Sequence, residues 1–224
     1  MVARTRMRPR VPGICVGIDL AGVPHRETGV AILRDGRLDL LVAASTDDEI
    51  LELASRAGRR GTIAINAPLT RPAGRCCLED DCRCRVDPGT RSRALERELG
   101  RMGVPTLATA LIKVLARRGA ILDASLRERG FDPLEVYPFA TLKLLGLPWQ
   151  AKKTKLGRRK IHRALKPLVP GLNHPRASEH QIDAVVCALT ALMWRQRQTC
   201  TVGIADEGLM VIPDPRKLPL PTTR

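Results

Sequence analysis

The sequence predicts an α/β domain built on a mixed sheet that is flanked by helices. Short apolar, β-branched runs crowd the first third of the chain, and two helix-start signals precede apolar periodic segments. No internal repeat or long linker interrupts the 224 residues, and a hydrophobic content of 44% allows one large core. We therefore predict a single domain over residues 13–213, between a disordered basic arm at 1–12 and a loose Pro-rich tail at 214–224.

A meander of three strands opens the predicted domain. The apolar run Ile14–Ile18 reads as a strand that is buried on both faces. Two further strands, Thr28–Leu33 and Arg37–Ala43, flank the dipeptide Asp35-Gly36, which is a hairpin signal. These three segments predict neighbouring strands.

A helix and a fourth strand follow. Thr46 and Glu49 have the spacing of a capping box, which predicts a helix start. The run Gly61–Ile65 predicts a strand that ends at Asn66, because the Ala-Pro dipeptide after it cannot continue a strand.

The middle of the chain, residues 71–130, predicts a cysteine-rich loop and a helical insertion. Residues 71–90 form the loop, and a charged helix over 91–102 ends at Gly103. A longer amphipathic helix is predicted from Leu111 to Leu126, with Val114 and Ile121 on its apolar face and an interruption near Gly119.

The last third returns to alternating elements. We predict a strand over Leu134–Tyr137, a short helix over Phe139–Leu145 and a basic segment over Lys152–Lys166, in which Leu156 is one of the few apolar anchors. A second capping box, opened by Ser178, predicts a long apolar helix, and Thr201–Ile212 predicts a terminal hairpin.

Net charge limits the classes of partner. The formal net charge is +15, and the isoelectric point is about 10.4. A positive surface field favours nucleic acid or another polyanion as partner, although a generally Arg-rich composition would give the same charge. Aromatic residues make up 2% of the chain, which argues against recognition by base stacking.

Hydropathy and cysteine usage indicate the compartment. The sequence has no run of about 18 apolar residues, so we predict no membrane span, and the basic N-terminus lacks the apolar core of an export signal. The seven cysteines are odd in number and mostly clustered, which favours a reduced, cytoplasmic protein over a disulfide framework.

Three acidic residues stand at the edges of apolar elements. Asp19 ends the first strand, Glu135 lies within a predicted strand, and Asp183 opens the last helix. Carboxylates resist burial unless they are paired or bind a metal, so these three predict a site for Mg²⁺ or Mn²⁺. The simpler readings are a turn residue for Asp19, a solvent-facing strand residue for Glu135 and a helix-dipole contact for Asp183.

The cysteine loop carries four thiols in nine positions: Cys76, Cys77, Cys82 and Cys84. Four thiolates form a tetrahedral zinc site, but vicinal and C-x-C spacings are awkward for one ion. A redox-sensitive thiol pair and an inert loop therefore remain alternatives. Cys15 and Cys187 stand in apolar runs and are predicted core residues.

The densest basic stretch predicts contacts with nucleic acid phosphates. It contains Lys152, Lys153, Lys155, Arg158, Arg159 and Lys160. Lysine and arginine side chains bind the phosphate backbone without sequence preference, whereas the simpler reading is a solvated helix face. His162 and His180 are candidates for proton transfer.

Four segments carry a resemblance to a known family. They are Val16–Gly22, Ile63–Leu69, Glu135–Pro138 and Ile182–Ala188. In this order they resemble the domain of unknown function 429 family, whose members are described as predicted nucleases with a ribonuclease H fold. The resemblance covers Val16 to Pro213. It implies a ribonuclease H-like sheet, in which a three-strand meander is followed by further strands and a C-terminal hairpin.

The resemblance also implies roles for the acidic residues. Asp19 would contact both metal ions, and Glu135 and Asp183 would complete the cluster. Asn66 stands where the family usually has aspartate, and an amide oxygen binds Mg²⁺ without adding charge. Three carboxylates offset three of the four charges of two Mg²⁺ ions, so the second ion should bind more weakly.

We therefore expect a metal-dependent nuclease that hydrolyses nucleic acid phosphodiesters. One alternative is a catalytically weakened nucleic-acid-binding protein on the same fold, which Asn66 would favour. A second alternative is a nucleotide-binding phosphotransferase-like protein, because proteins of that class share the core of the ribonuclease H-like fold and begin with a similar Asp-x-Gly turn. Such proteins need two cores, and this chain has room for one.

Overall fold

A seven-strand mixed sheet flanked by helices forms the centre of the protein in the computed structural model, which describes residues 12–79, 82–85, 91–150 and 152–217. The strands are β1 Ile14–Asp19, β2 Thr28–Arg34, β3 Arg37–Ala44, β4 Thr62–Asn66, β5 Leu134–Val136, β6 Thr199–Ile204 and β7 Gly208–Pro213. The helices are α1 Asp47–Ser55, α2 Ala94–Arg101, α3 Lys113–Glu128, α4 Pro138–Leu144, α5 Lys155–Leu165 and α6 Glu179–Arg195. The α/β class and the predicted meander are therefore confirmed.

The strands lie in the order β3-β2-β1-β4-β5-β7-β6. The first three strands are antiparallel neighbours, whereas β4, β5 and β7 run parallel to β1. The terminal hairpin is confirmed, because β6 and β7 pair antiparallel, and β7 joins the main sheet beside β5. The carboxyl ends of β1, β4 and β5 consequently lie at one edge of the sheet.

Each face of the sheet is covered by its own helices. One apolar core joins the sheet to α6, α4 and α5, and a second joins the opposite face to α1 and α3. A smaller cluster packs α2 against β6 and β7. Cys15 and Cys187 are buried in the first core, which confirms their predicted placement.

Two glycines allow α6 to approach the sheet closely. A Cβ atom at Gly17 would lie 2.1 Å from the carbonyl oxygen of Ala184. A Cβ atom at Gly29 would lie 2.1 Å from the carbonyl oxygen of His180. Because only glycine leaves this space, the N-terminal turns of α6 lie directly over β1 and β2.

The capping boxes form as predicted. Thr46 and Glu49 exchange side-chain and backbone hydrogen bonds at the start of α1, and Ser178 and Gln181 do the same at α6. These contacts satisfy backbone amides that the first helical turn leaves without partners.

The helical insertion differs from its prediction in two respects. Helix α3 passes Gly119 without interruption, because this glycine admits the carbonyl of Pro68 rather than breaking the helix. The predicted apolar face is also wrong in part. Leu111, Val114 and Ile121 are exposed, as is Leu156 in the basic segment.

The predicted loose tail is anchored at its beginning. Asp214 is buried and pairs with the side chains of Arg216 and Lys217. The rest of the tail, and all of the predicted basic arm except Pro12, lie outside the described residues. No helix in the described part of the chain is long and apolar enough to cross a membrane.

Candidate functional site

Asp19 and Asn66 lie side by side where β1 and β4 end. The two residues are paired in the parallel register, so both side chains lie on the face covered by α6. The Asn66 side-chain amide donates to Oδ1 of Asp19 over 2.5 Å. Asp19 is 4% exposed, so its carboxylate is held inside the protein by the sheet edge.

Helix α6 adds two side chains to the same place. His180 and Asp183 are three residues apart and therefore share one helix face. Nδ1 of His180 lies 2.7 Å from Oδ2 of Asp19. Asp183 is 3% exposed, and the charge of Asp19 acts on its carboxylate. Lys152 contacts Asp183 and belongs to the same group. We call these five residues the carboxylate cluster: Asp19, Asn66, Lys152, His180 and Asp183.

Lys152 is the cation of this cluster. Its ammonium donates to Oδ2 of Asp183 and also lies 3.6 Å from a carboxylate oxygen of Glu179. Burial acts to lower the pKa of Lys152, but Asp183 and the neighbouring acidic groups outweigh it and raise that pKa overall. The basic run predicts an exposed phosphate contact at Lys152, whereas in the structure its ammonium lies against the buried carboxylate of Asp183.

The charges of the cluster are incompletely compensated. Burial, followed by the charge of Asp19, raises the pKa of Asp183 from 3.8 to about 7, even though Lys152 opposes this. The other oxygen of Asp183, Oδ1, is buried and has no hydrogen-bond partner among the described residues. The hydrogen bond with Asp19 raises the pKa of His180. A buried carboxylate in this state is stabilised by a further cation or donor.

Glu135 does not join the carboxylate cluster. In the parallel register Glu135 pairs with Ile65, whose side chain packs in the opposite core from Asn66. Its carboxylate therefore lies on the other face of the sheet, where Arg93 donates to both oxygens over 2.6 and 2.8 Å. The backbone amide of Leu69 donates to it as well. The prediction that Glu135 shares a cation with Asp19 is therefore wrong.

Arg93 organises a buried network that sequence analysis missed. It is 1% exposed, and it contacts Glu96, Glu135 and Thr70. Glu207 accepts hydrogen bonds from the backbone amides of Ala73 and Ala94. The only sequence signal was the i, i+3 spacing of Arg93 and Glu96, which also occurs on solvated helices. This network connects the cysteine loop, α2 and the sheet.

A family model described as protein of unknown function (DUF429) matches residues 17–207. The chain belongs to the DUF429 family. The matched span contains the whole carboxylate cluster, the Arg93 network and the cysteine loop. No curated protein and no solved structure matches the chain.

The basic segment of this DUF429 protein divides into buried and exposed positions. Lys153, Lys155, Arg159 and Lys160 are exposed. Arg158 instead donates to the backbone carbonyl oxygens of residues 152 and 153 and thereby holds the turn before α5. His162 is buried on α5, where burial, followed by the charge of Lys166, lowers its pKa.

The four thiols of the cysteine loop converge in space. Their Sγ atoms all lie within 4.8 Å of one another, and this is the only such metal-ligand group found among the described residues. Cys76 lies 3.5 Å from Cys82, and Cys77 lies 3.8 Å from Cys84, measured between sulfur atoms. No disulfide joins any of these cysteines.

Proposed function

We propose that this DUF429 protein hydrolyses nucleic acid phosphodiesters with the aid of Mg²⁺ or Mn²⁺ bound at the carboxylate cluster. One observation carries the proposal. The carboxylate of Asp183 is buried, the charge of Asp19 acts on it, and its Oδ1 lacks a partner among the described residues. A buried, undercompensated carboxylate pair at a sheet edge is a favourable place for a divalent cation.

The strand order supports a ribonuclease H-like assignment for the fold. An antiparallel meander β3-β2-β1, followed by β4 and β5 parallel to β1, is the order that the resemblance leads us to expect. Asp19 ends β1, and α6 places the Asp183 carboxylate where the charge of Asp19 acts on it.

The donor set suits a hard divalent cation. Asp19 and Asp183 supply carboxylate oxygens, and Asn66 supplies an amide oxygen once its side chain turns, since amide O and N are interchangeable by rotation. Two carboxylates balance the charge of one such ion. Because Glu135 lies on the other face of the sheet, we infer one principal cation rather than two.

Lys152 and His180 supply the remaining chemistry of the site. A bound Mg²⁺ or Mn²⁺ polarises the phosphoryl oxygen and lowers the pKa of a bound water. Lys152, whose ammonium contacts Asp183 at the edge of the site, supplies a positive charge that orients a substrate phosphate. Asp19 fixes Nδ1 of His180, whose side chain is 44% exposed, so that Nε2 exchanges a proton with substrate or water.

The exposed cations around α5 support a nucleic acid as substrate. Lys153 directly follows the cluster lysine, and Lys155 and Arg159 continue the exposed charge along α5. These side chains contact a phosphate backbone that leads into the cluster. Neutralising them together should weaken binding to every sequence and reduce the salt dependence by about one unit of slope for each lost contact.

Cleavage of labelled DNA and RNA in the presence of Mg²⁺ or Mn²⁺ tests the proposal. We expect Asp19→Asn to reduce cleavage by more than the roughly 10- to 100-fold typical of residues that lie behind a metal ligand. Asp132→Asn is the matched control, because that carboxylate is exposed and lies outside the cluster. Undiminished cleavage by Asp19→Asn, or cleavage that needs no divalent cation, would refute the proposal.

A second candidate is a nucleic-acid-binding protein without catalysis. The specific observation in its favour is the pairing of Asp183 with Lys152, together with an uncharged amide at Asn66. Both features reduce the negative charge available to a cation. Metal-independent binding with no cleavage of any DNA or RNA substrate would support this second function.

A further inference from the structure

The segment between β4 and α2 gathers four thiols at one point although it has little regular structure. A short 3₁₀ turn, Arg83–Arg85, is its only regular element within the described residues 71–79 and 82–85. The buried apolar side chains in these described residues are Pro72 and Leu78. An irregular loop of this length loses considerable conformational entropy when it is ordered, and it needs a cross-link or ligand to offset that loss.

The spacing of the sulfur atoms fits a tetrahedral ion. Zinc–thiolate bonds of about 2.3 Å in tetrahedral geometry place the sulfur atoms about 3.8 Å apart. The observed separations are 3.5 Å for the Cys76–Cys82 pair and 3.8 Å for the Cys77–Cys84 pair, and all four sulfur atoms lie within 4.8 Å. A disulfide would instead require sulfur atoms about 2.05 Å apart.

The fold of the loop resolves the awkward spacing of the cysteines. Each of the vicinal cysteines lies beside one member of the C-x-C pair, Cys76 beside Cys82 and Cys77 beside Cys84. The ligands therefore come from two separate stretches of the loop, residues 76–77 and residues 82–84. The four sulfur atoms lie within 4.8 Å of one another, which is close enough for all of them to bind the same ion.

Basic side chains and a backbone amide support this arrangement. The guanidinium of Arg75, which is 7% exposed, donates to the carbonyl oxygens of Cys77 and Glu79 over 3.0 and 2.9 Å. Arg71 donates to the carbonyl oxygen of Cys76. The backbone amide of Glu79 also points at the sulfur of Cys77, at 3.5 Å. A four-thiolate zinc centre carries a net charge of −2, and these cations and dipoles offset it.

We propose that Cys76, Cys77, Cys82 and Cys84 bind one Zn²⁺ ion in a structural, four-thiolate site. Four protein ligands leave no open position for water, so the ion organises the loop rather than performing chemistry. Its place in the fold indicates which part depends on it. Ala73 bonds to Glu207, and Glu79 forms an ion pair with Arg117 on α3, so the ion holds the loop against the sheet, the hairpin and the helical insertion.

Metal analysis of the full-length protein, purified in reducing buffer without added zinc, tests this site. We expect about one equivalent of zinc per chain, released in step with titration of the four loop thiols by a mercurial reagent. Cys82→Ser combined with Cys84→Ser should abolish zinc binding. Cys200→Ser is the matched control, because Cys200 lies on β6 outside the loop, and it should retain the full equivalent.

Limited proteolysis reports the structural role separately. The buried Arg75 is protected from trypsin only while the loop is ordered, so removal of zinc should make cleavage there at least about tenfold faster. The native protein alone keeps the test decisive if the double variant fails to fold. Absence of zinc with all thiols free, two disulfides within the loop, or zinc retained by the double variant would each overturn the proposal.

Discussion

Replacing Asp183 with asparagine should stabilise this protein at neutral pH, although the change removes one partner of an ion pair. The carboxyl group is buried, and its pKa is raised from 3.8 to about 7, first by burial and then by the charge of Asp19. Its proton is therefore bound more tightly in the folded state than in the unfolded state. The stability that this group contributes is present below pH 3.8 and is lost as the pH rises toward 7.

The size of the effect follows from this interval. The pKa of Asp183 rises from 3.8 to about 7, and each unit of this shift corresponds to about 1.36 kcal/mol. Above pH 7 the ionised carboxylate therefore lowers the free energy of unfolding by about 4 kcal/mol relative to the protonated group. Asparagine resembles the protonated carboxyl group, so about 4 kcal/mol is the upper limit of the gain. The new amide must also find partners in a buried position, and we therefore expect a gain of about 1–3 kcal/mol at pH 8.

Urea unfolding at pH 5 and pH 8 measures this gain for Asp183→Asn against the natural protein. The gain should be about 2–3 kcal/mol smaller at pH 5, where the folded carboxyl group is already protonated. Mg²⁺ and Mn²⁺ are omitted, and no chelator is added, because a chelator would also remove the zinc that we propose for the cysteine loop. A variant that is destabilised equally at both pH values would refute the reasoning, because Lys152 would then fully compensate the buried charge.

Three further predictions address the fold and the cation site. Glu135→Gln should lower the free energy of unfolding by about 3–5 kcal/mol, because it removes one of the two buried carboxylates that pair with the Arg93 guanidinium. Asp132→Asn should change it by less than about 0.5 kcal/mol in the same urea titration. Gly17→Ala should lower the free energy of unfolding by at least about 1–3 kcal/mol, because the added methyl group forces α6 away from β1. Gly100→Ala is the control: its methyl group meets open space on α2, so stability should be unchanged or slightly higher. Asn66→Asp should destabilise the metal-free protein, because it replaces a hydrogen-bond donor to Asp19 with a second carboxylate. The same change should tighten Mn²⁺ binding measured by calorimetry, and an unchanged Mn²⁺ affinity would place this residue outside the cation site.

Local sequence signals predicted most of the helices and strands, because such signals depend only on residues that are neighbours in the chain. The capping boxes, the Asp35-Gly36 hairpin and the apolar run ending at Asp19 each set their own geometry, and each agrees with the structure. The placement of Asp183 where the charge of Asp19 acts on it was also predictable in outline, since a strand end and a helix start can share one edge of the sheet. The two glycines that allow α6 to lie close to β1 and β2 gave no such signal, because their role depends on α6.

The sheet face on which the Glu135 side chain lies could not be predicted from the sequence. Side chains alternate between the faces of a sheet, so a one-residue difference in register moves a carboxylate to the opposite face. That register depends on the pairing of β4 with β5, which begins far along the chain at Leu134. The contact of Lys152 with Asp183 was not predictable for a related reason. Net charge along a basic stretch does not distinguish an exposed lysine from one that turns toward a buried carboxylate.

The position of Lys152 links cation binding to phosphate binding in the proposed nuclease. Its ammonium occupies Oδ2 of Asp183, which is an oxygen that a divalent cation would use. A cation that binds there displaces the ammonium, which is then free to contact a substrate phosphate. Lys152→Met should therefore tighten Mn²⁺ binding, because a competing charge is removed, and at the same time weaken nucleic acid binding and lower its salt slope by about one unit.

The neighbouring residue provides the control for this last prediction. Lys153→Met removes an exposed charge one residue away, and it should weaken nucleic acid binding without changing Mn²⁺ affinity. Calorimetric titration with Mn²⁺ and salt-dependent binding isotherms on both variants separate the two effects. If Lys152→Met weakens Mn²⁺ binding, or if both variants behave alike, the ammonium does not compete with the cation, and the displacement of Lys152 by metal is refuted.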